Sequence, residues 1–177
     1  LSAPPVLAAQ TKQDTSETID PRKARIIRVG KSTTPGVIHV KPDEFALYWT
    51  MENGRAIRYP IGVAQRHLWE PGSYFIRAKK EWPSWTPTPQ MIERNPKYAK
   101  WEDGMPGGPG NPLGARALYL FDARGRDTML RIHGTNMPHT ILTRVSNGCA
   151  RLTNGYVTDL YDRVPLGTRV HLYPMTV

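Results

Sequence analysis

The sequence is poor in cysteine and in long apolar runs, and each shortage excludes a class of protein. Cys149 is the only cysteine among 177 residues, so no disulfide can form within the chain, and cysteine usage does not fix the redox compartment. No apolar run approaches the about 20 residues of a membrane-spanning helix, so we predict no transmembrane segment. Walker-type loops and the Cys/His spacings of metal sites are also missing from the sequence, and we expect neither cofactor nor metal.

Acidic residues are the third shortage. Lys and Arg number 24 against 15 Asp and Glu, which gives a formal charge of +9. Such a balance favours anionic surroundings: nucleic acid, anionic lipid or an anionic cell-wall polymer. A solvated basic surface without a particular partner is the alternative. No run of five or six like charges occurs, and Trp and Tyr do not alternate with Arg, so we do not expect nucleic acid as a partner.

The pattern from Gly36 onwards is that of β-strands. Asn53-Gly54 separates two alternating apolar runs and predicts a hairpin, because both residues tolerate positive φ. His39 falls in the first of these strands and is interpreted as a sheet side chain. Further strands are predicted at residues 25–29, 73–78, 117–121, 129–132 and 168–173.

Two segments lack this regular pattern. Residues 1–24 are rich in Ala, Pro, Ser, Thr and charge, and we expect a flexible lead-in before a domain that occupies residues 25–177. Residues 82–114 contain seven Pro and five Gly together with three tryptophans, among them Trp82 and Trp85. Disordered segments are poor in aromatics, so we interpret residues 82–114 as a packed lid beside a cleft. The alternative is a structural loop whose tryptophans cover the sheet.

The spacing of the apolar residues changes after Cys149. Apolar residues recur at i, i+3, i+4 and i+7 from Val157 to Val164, which predicts a helix with one buried face. Thr153 or Asn154 can cap its start, and Pro165 ends it. We expect this helix to fix the segment around the cysteine against the core.

Cys149 is the candidate for chemistry. A lone thiol with a histidine available is the arrangement of a cysteine nucleophile and its base, and the two need to be close only in the fold. An imidazole within hydrogen-bond reach takes the thiol proton and leaves a reactive ion pair. His133, His139 and His67 are candidate bases on chemistry alone, and a small buried cysteine without function is the alternative.

The residues around Cys149 and His133 resemble a known family. His133-Gly134-Thr135, followed after an interval by S-N-G-C-A-R at residues 146–151, resembles the signature of the L,D-transpeptidase catalytic domain, also called the YkuD domain. The resemblance extends to residues 110–114 and covers roughly residues 35–175. Many relatives carry His where this chain has Asn147. The implied fold is mainly β (α+β), with β-sandwich-like sheets, short helices and a lid loop.

The resemblance implies a role for each residue of the signature. Cys149 is the nucleophile, His133 is the base, and the backbone carbonyl of Gly134 orients the imidazole of His133. Backbone N–H groups around residues 147–149, from Asn147 through Gly148, form an oxyanion hole.

Two further side chains of the signature each have two possible roles. Ser146 hydrogen-bonds either its own loop or the substrate. Arg151 pairs with a substrate carboxylate, or else forms a surface ion pair worth under about 1 kcal/mol. Trp82 and Trp85 are expected to line the cleft from the lid.

The activity implied is transfer of an acyl group from peptidoglycan. The cysteine forms a thioester with a tetrapeptide stem and releases D-alanine, and an amine of another stem then makes a 3→3 cross-link. An envelope protein as acceptor would make the chain an anchoring enzyme, and water would make it an L,D-carboxypeptidase. A non-catalytic wall-binding module is the alternative from another class. The family also implies carbapenem inhibitors and export to the cell envelope or periplasm, although no signal peptide is present in this chain.

Overall fold

The fold is organised around one large mixed β-sheet. The computed structural model describes residues 19–176, so most of the expected lead-in lies outside the described residues. The strands are β1 Arg25–Arg28, β2 Val37–Lys41, β3 Ala46–Met51, β4 Arg55–Pro60, β5 Val63–Ala64, β6 Gly72–Glu81, β7 Arg116–Phe121, β8 Asp127–His133, β9 Arg144–Ser146, β10 Ala150–Arg151 and β11 Arg169–Leu172. The helices are α1 Pro89–Arg94 and α2 Asn154–Arg163. The mainly β prediction is confirmed.

Nine strands form the main sheet in the order β1-β4-β3-β2-β11-β6-β7-β8-β10, and β5 and β9 form a separate parallel pair. The predicted hairpin joins β3 to β4, and both of its turn residues, Asn53 and Gly54, have positive φ (61° and 63°). The C-terminal strand β11 lies inside the sheet, parallel to β2 and antiparallel to β6. Reciprocal backbone hydrogen bonds between Gly62 and Arg151 join the segment after β4 to β10, so the sheet wraps around its core.

Alternation along the strands separates two faces of this sheet. The inner face is apolar and fully buried, with side chains such as Ile38, Leu118, Ile132 and Val170. At about 25 cal/mol per Å² of apolar area removed from water, this face supplies most of the stabilisation. The residues that alternate with these along each strand form the outer face, and on β8 the outer face includes His133.

Helix α2 packs against the inner face as its period predicted. Val157, Leu160 and Val164 are buried in the core, and the side chain of Thr153 caps the helix by accepting the N–H of Tyr156. Val164 follows the last helical residue. The described residues contain no helix long and apolar enough to cross a membrane.

The segment at 82–114 is packed and partly helical, because it contains α1 and a 3₁₀ segment at Pro96–Trp101. Buried Asn111 holds its C-terminal part: the side-chain amide donates to the carbonyls of Met105 and Pro106 and accepts the N–H of Leu113. The segment therefore has a fixed fold of its own.

Candidate active site

Cys149 and His133 meet where β8 and β10 run side by side. His133 is the last residue of β8, and Cys149 directly precedes β10. The parallel register pairs Ala150 with Ile132 and Arg151 with His133, which brings the cysteine segment beside the histidine. Both Cys149 and His133 line one cavity of about 160 Å³. Six of the candidate site residues singled out in the sequence share this cavity: Cys149, His133, Ser146, Asn147, Arg151 and Trp85.

The imidazole of His133 is fixed by its own chain. Its Nδ1 lies 2.6 Å from the carbonyl oxygen of Gly134. A carbonyl only accepts hydrogen bonds, so Nδ1 carries the proton and Nε2 keeps a free lone pair. The lone pair is what a base needs in order to take a thiol proton.

Asn154 holds the turn that carries this carbonyl, and sequence reasoning considered Asn154 only as a helix cap. Its Oδ1 accepts the N–H groups of Ala115 and Thr135 at 3.0 and 3.2 Å. A Cβ on Gly114 or Gly134 would lie 2.2 or 2.3 Å from that same oxygen, and Gly114 also has a φ of +65°. The close approach therefore requires glycine at both positions. The only sequence signal for this role of Asn154 was its position at the start of the predicted helix.

Burial keeps both reacting groups neutral. The pKa of His133 is lowered to about 4, mainly by burial and further by the nearby Arg151 and Arg131 guanidinium charges, against the raising effect of the bond to Gly134. Burial likewise raises the pKa of the Cys149 thiol, although the backbone N–H of Arg131 and both guanidinium charges oppose that shift. The free site therefore holds a thiol and an imidazole at neutral pH. This differs from the ion pair expected from the sequence, because that expectation omitted the burial.

The segment before Cys149 is a turn whose backbone donors have no partner among the described residues. Gly148 has a φ of +127°, a conformation that favours glycine. Ser146 is buried, and its hydroxyl donates to the carbonyl oxygen of Cys149 at 2.5 Å, so its contact is with its own loop. Within residues 19–176, the backbone N–H groups of Asn147, Gly148 and Cys149 donate to no protein acceptor. They are available to an oxyanion.

Arg151 presents a buried cation to the same cavity. Its side chain is only 6% exposed, and its Nε and Nη2 are shielded from solvent without a hydrogen-bond partner among the described residues. An unpaired buried guanidinium is costly, and a ligand carboxylate would remove that cost. The surface ion pair considered for Arg151 is wrong, because the group is buried and lacks a carboxylate partner among the described residues.

A second cavity, of about 210 Å³, lies on another side of Cys149 and contains Arg131. The guanidinium of Arg131 pairs with both carboxylate oxygens of Asp127 (2.7 and 2.9 Å) and stacks 4.0 Å from the ring centre of Tyr119. Sequence reasoning missed Arg131. The available signal was its position two residues before His133, which puts both side chains on one face of β8.

Trp82 and Trp85, which the sequence grouped in the segment at 82–114, lie in different surroundings. Trp85 lines both cavities beside Cys149, and its ring packs edge-on against Tyr98 at 5.3 Å. Trp82 is 44% exposed and lines neither cavity. A hydrogen bond from Arg94 Nη2 to Asn147 Oδ1 (3.2 Å) connects α1 to the cysteine turn.

The other histidines lie elsewhere. His139 is exposed in the 3₁₀ turn Pro138–Thr140, and His67 lines a different cavity. His39 is a sheet side chain whose ring contacts Tyr173. Among the described residues no group of three or more His, Cys, Asp or Glu side chains could hold a metal ion.

Comparison with solved structures gives the same fold. A Brucella melitensis protein, described as a probable carnitine operon oxidoreductase, is 45% identical, with a TM-score of 0.59 over 90% of this chain and 96% of that one. L,D-transpeptidase 3 from Mycobacterium tuberculosis, in complex with a faropenem-derived adduct, is 18% identical, with a TM-score of 0.52 over 79% of this chain and 61% of that one. The second likeness shows the fold alone.

Comparison of sequences defines the family. The Escherichia coli protein named Probable L,D-transpeptidase ErfK/SrfK is 37% identical over 147 residues, which are 79% of this chain and 44% of that protein. The chain spans between 39% and 62% of the length of the first curated relatives. The model of the family described as the L,D-transpeptidase catalytic domain, YkuD, matches residues 35–172. The chain therefore belongs to the L,D-transpeptidase catalytic domain family.

Proposed function

We propose that this chain is a peptidoglycan L,D-transpeptidase with Cys149 as its nucleophile. The observation that carries the proposal is one cavity that holds Cys149, the oriented imidazole of His133 and the unpaired guanidinium of Arg151. A thiol and a base serve acyl transfer, and a buried cation suits a substrate with a carboxylate. The resemblance of the signature to this family implies the substrate class, a tetrapeptide stem that ends in D-alanine.

The first half-reaction forms a thioester. His133 Nε2 takes the proton of Cys149 as the sulfur attacks the carbonyl between the L-centre of the third stem residue and the terminal D-alanine. The free N–H groups at residues 147–149 receive the developing oxyanion, and losing one such donor typically costs about 3–4 kcal/mol. The C–N bond then breaks, and His133 returns the proton to the departing amine of D-alanine.

The second half-reaction transfers the acyl group. An acceptor amine attacks the thioester, His133 removes a proton from the amine, and the Cys149 sulfur leaves and takes that proton back. An amine on a neighbouring stem gives a 3→3 cross-link. An amine of an envelope protein gives anchoring, and water gives a carboxypeptidase. Because the substrate is in the cell wall, the proposal includes export to the cell envelope or periplasm.

The test is incubation with purified tetrapeptide muropeptides, followed by mass analysis. We expect release of D-alanine and a dimer whose mass equals two tetrapeptide units minus one D-alanine. The Cys149→Ala variant should leave the muropeptides unchanged. Hydrolysis alone would identify the carboxypeptidase, and no reaction by folded, reduced protein would contradict catalysis and favour a wall-binding module.

Carbapenems provide a second test of the nucleophile. A strained β-lactam carbonyl offers Cys149 the same electrophile as the stem, and the same N–H groups stabilise the adduct. We expect one carbapenem mass per chain, located on the peptide that contains Cys149 and absent from Cys149→Ala. An unmodified wild-type protein would count against the assignment.

A further inference from the structure

An unusual concentration of positive charge lies at the β1 edge of the main sheet, the end of the strand order opposite to β10. The antiparallel register of β1 and β4 places Arg25 opposite Arg58, and Arg28 opposite Arg55. Like charges directly opposite each other destabilise an antiparallel pair. Within residues 19–176, none of these four arginines forms a salt bridge. The Glu44 carboxylate lies near Arg58 and offsets part of this repulsion, although the two groups form no salt bridge.

The Arg25–Arg58 pair also has unused hydrogen-bond donors. Nη1 of Arg25 and Nη1 of Arg58 are both shielded from solvent and lack a partner in the described residues. Arg58 Nη2 donates to the backbone carbonyl of Glu44 at 3.0 Å. The Glu44 carboxylate accepts hydrogen bonds from Lys41 Nζ at 3.2 Å and from the hydroxyl of Tyr48, and it forms no salt bridge with Arg25 or Arg58. An anion that reaches these two donors would give each a hydrogen-bond partner, and its entry requires the side chains to move because both donors are shielded from solvent.

We propose that Arg25 and Arg58 form a binding site for a phosphate group. The two guanidinium groups come from different strands, so they approach a bound anion from two directions. A tetrahedral phosphate directs oxygens to both, whereas the two oxygens of a carboxylate match the planar fork of a single arginine. The site is separate from the Cys149 cavity and goes beyond the proposed acyl transfer.

The surroundings of the pair favour phosphate on a polymer over the free ion. Arg28 and Arg55 lie three positions along the same two strands and therefore on the opposite face of the sheet, and Arg22, Lys23 and Lys31 lie close to the four arginines in sequence. Because β1 is the edge strand, a chain of phosphates that passes over this edge would meet cations of both faces and gain avidity, which a single ion does not. Such a site would hold the protein on an anionic polymer while the Cys149 cavity stays free.

The test compares two double variants that lose the same charge. Arg25→Gln/Arg58→Gln removes the facing pair, and Lys97→Gln/Arg124→Gln removes two exposed cations elsewhere. Affinity for fluorescein-labelled polyphosphate is measured by anisotropy at fixed salt. We expect the first variant to bind at least tenfold more weakly than the wild type, and the control to change by less than threefold. Equal losses of affinity would overturn the proposal, because binding would then depend only on the total charge of the protein.

Two further measurements identify the ligand of the Arg25–Arg58 pair. Inorganic phosphate should raise the melting temperature of the wild type and leave that of Arg25→Gln/Arg58→Gln unchanged, since a ligand stabilises only the state that binds it. Polyphosphate should raise the melting temperature at a lower total phosphate concentration than the free ion does. Equal potency per phosphate would still support a phosphate site, but would identify the free ion as its ligand. Tighter binding of polyglutamate at matched charge would overturn the choice of phosphate.

The chain carries three carboxylates shortly before this site in sequence, Asp14, Glu17 and Asp20, of which Asp14 and Glu17 precede the described residues. The amide variant of these last two, Asp14→Asn/Glu17→Gln, should bind polyphosphate as the wild type does, apart from the small gain due to its charge. A gain above tenfold would identify these carboxylates as the natural occupants and overturn the proposal.

Discussion

The two faces of β8 have opposite surroundings although their residues alternate along one strand. Leu130 and Ile132 point into the apolar core. Arg131 and His133 point to the outer face, where each lines a cavity beside Cys149. The inner side chains need only close packing, whereas the outer ones depend on single partners such as Asp127 and Gly134. Adjacent residues of β8 thus serve either the stability of the core or the chemistry of the site. Substitutions on the inner face should change mainly stability, and substitutions on the outer face mainly activity.

The largest effect is expected at the sulfur itself. Cys149→Ala removes the atom that forms the covalent intermediate, so transfer activity should fall below detection while the melting temperature changes little. Muropeptide turnover and thermal unfolding are measured on the same preparation. Residual cross-linking by the purified variant would contradict the covalent mechanism.

The outer face of β8 should affect rate more than stability. His133→Gln removes the base, and general-base catalysis typically contributes about 10²–10⁴-fold to the rate. The measurement is kcat with a tetrapeptide substrate. His139→Gln is the matched control, because His139 is exposed and lies outside the Cys149 cavities. A larger loss from the His139 change would reverse the assignment.

The inner face should show the opposite pattern. Ile132→Ala leaves a cavity in a fully buried site and should lower the free energy of unfolding by about 2–5 kcal/mol. Among molecules that remain folded, kcat should stay within a few-fold of the wild type. Urea unfolding and kinetics well below the midpoint check both parts. A kcat loss as large as that of His133→Gln would show that the two faces are not separable.

Acid should weaken the wild type through His133. The folded pKa of about 4 lies below the unfolded value near 6.5, so the unfolded state binds more protons between these values. Stability that is fully present above pH 6.5 is therefore lost as the pH falls towards 4, by up to about 3 kcal/mol. His133→Gln should lose less stability over this range, because other groups titrate alike in both proteins. Parallel curves of unfolding free energy against pH would contradict the low pKa.

The smallest effect is expected in the lid, where Trp85→Ala and Trp82→Ala form a matched pair. Trp85 lines both cavities, so its loss should raise KM or lower kcat several-fold. Trp82 lines neither, and its change should leave both constants near the wild-type values. Steady-state kinetics distinguish the two variants. Equal effects would indicate that the lid acts only as a cover for the sheet.

Much of the fold was predictable because its signals are local. The Asn53-Gly54 turn, the alternation in the strands and the helical period after Cys149 each depend on neighbouring residues. The meeting of Cys149 with His133 was indicated by family resemblance, whereas the pairing of β8 with β10 depends on the whole sheet. Strand order and the position of β11 depend on contacts distant in sequence, which local patterns do not encode.

The electrostatic state of the site was the least predictable part. The neutral thiol and imidazole result from burial, and residues distant in sequence, such as Trp85 and Leu113, line the cavities beside them. The second cavity and the Asn154 contacts also require three segments to meet. Trp82 and Trp85 looked equivalent in the sequence, and only the path of the backbone places one at the cavities and the other in solvent.

The interior position of β11 has a consequence for the order of synthesis. Until residues 169–172 are available, β2 and β6 both present unpaired edges to the surroundings, and the sheet remains in two parts. Unpaired edges of this kind invite pairing with other chains. A nascent chain should therefore stay open and aggregation-prone until β11 inserts between β2 and β6. Synthesis of residues 169–172 would act as the timing step for activity.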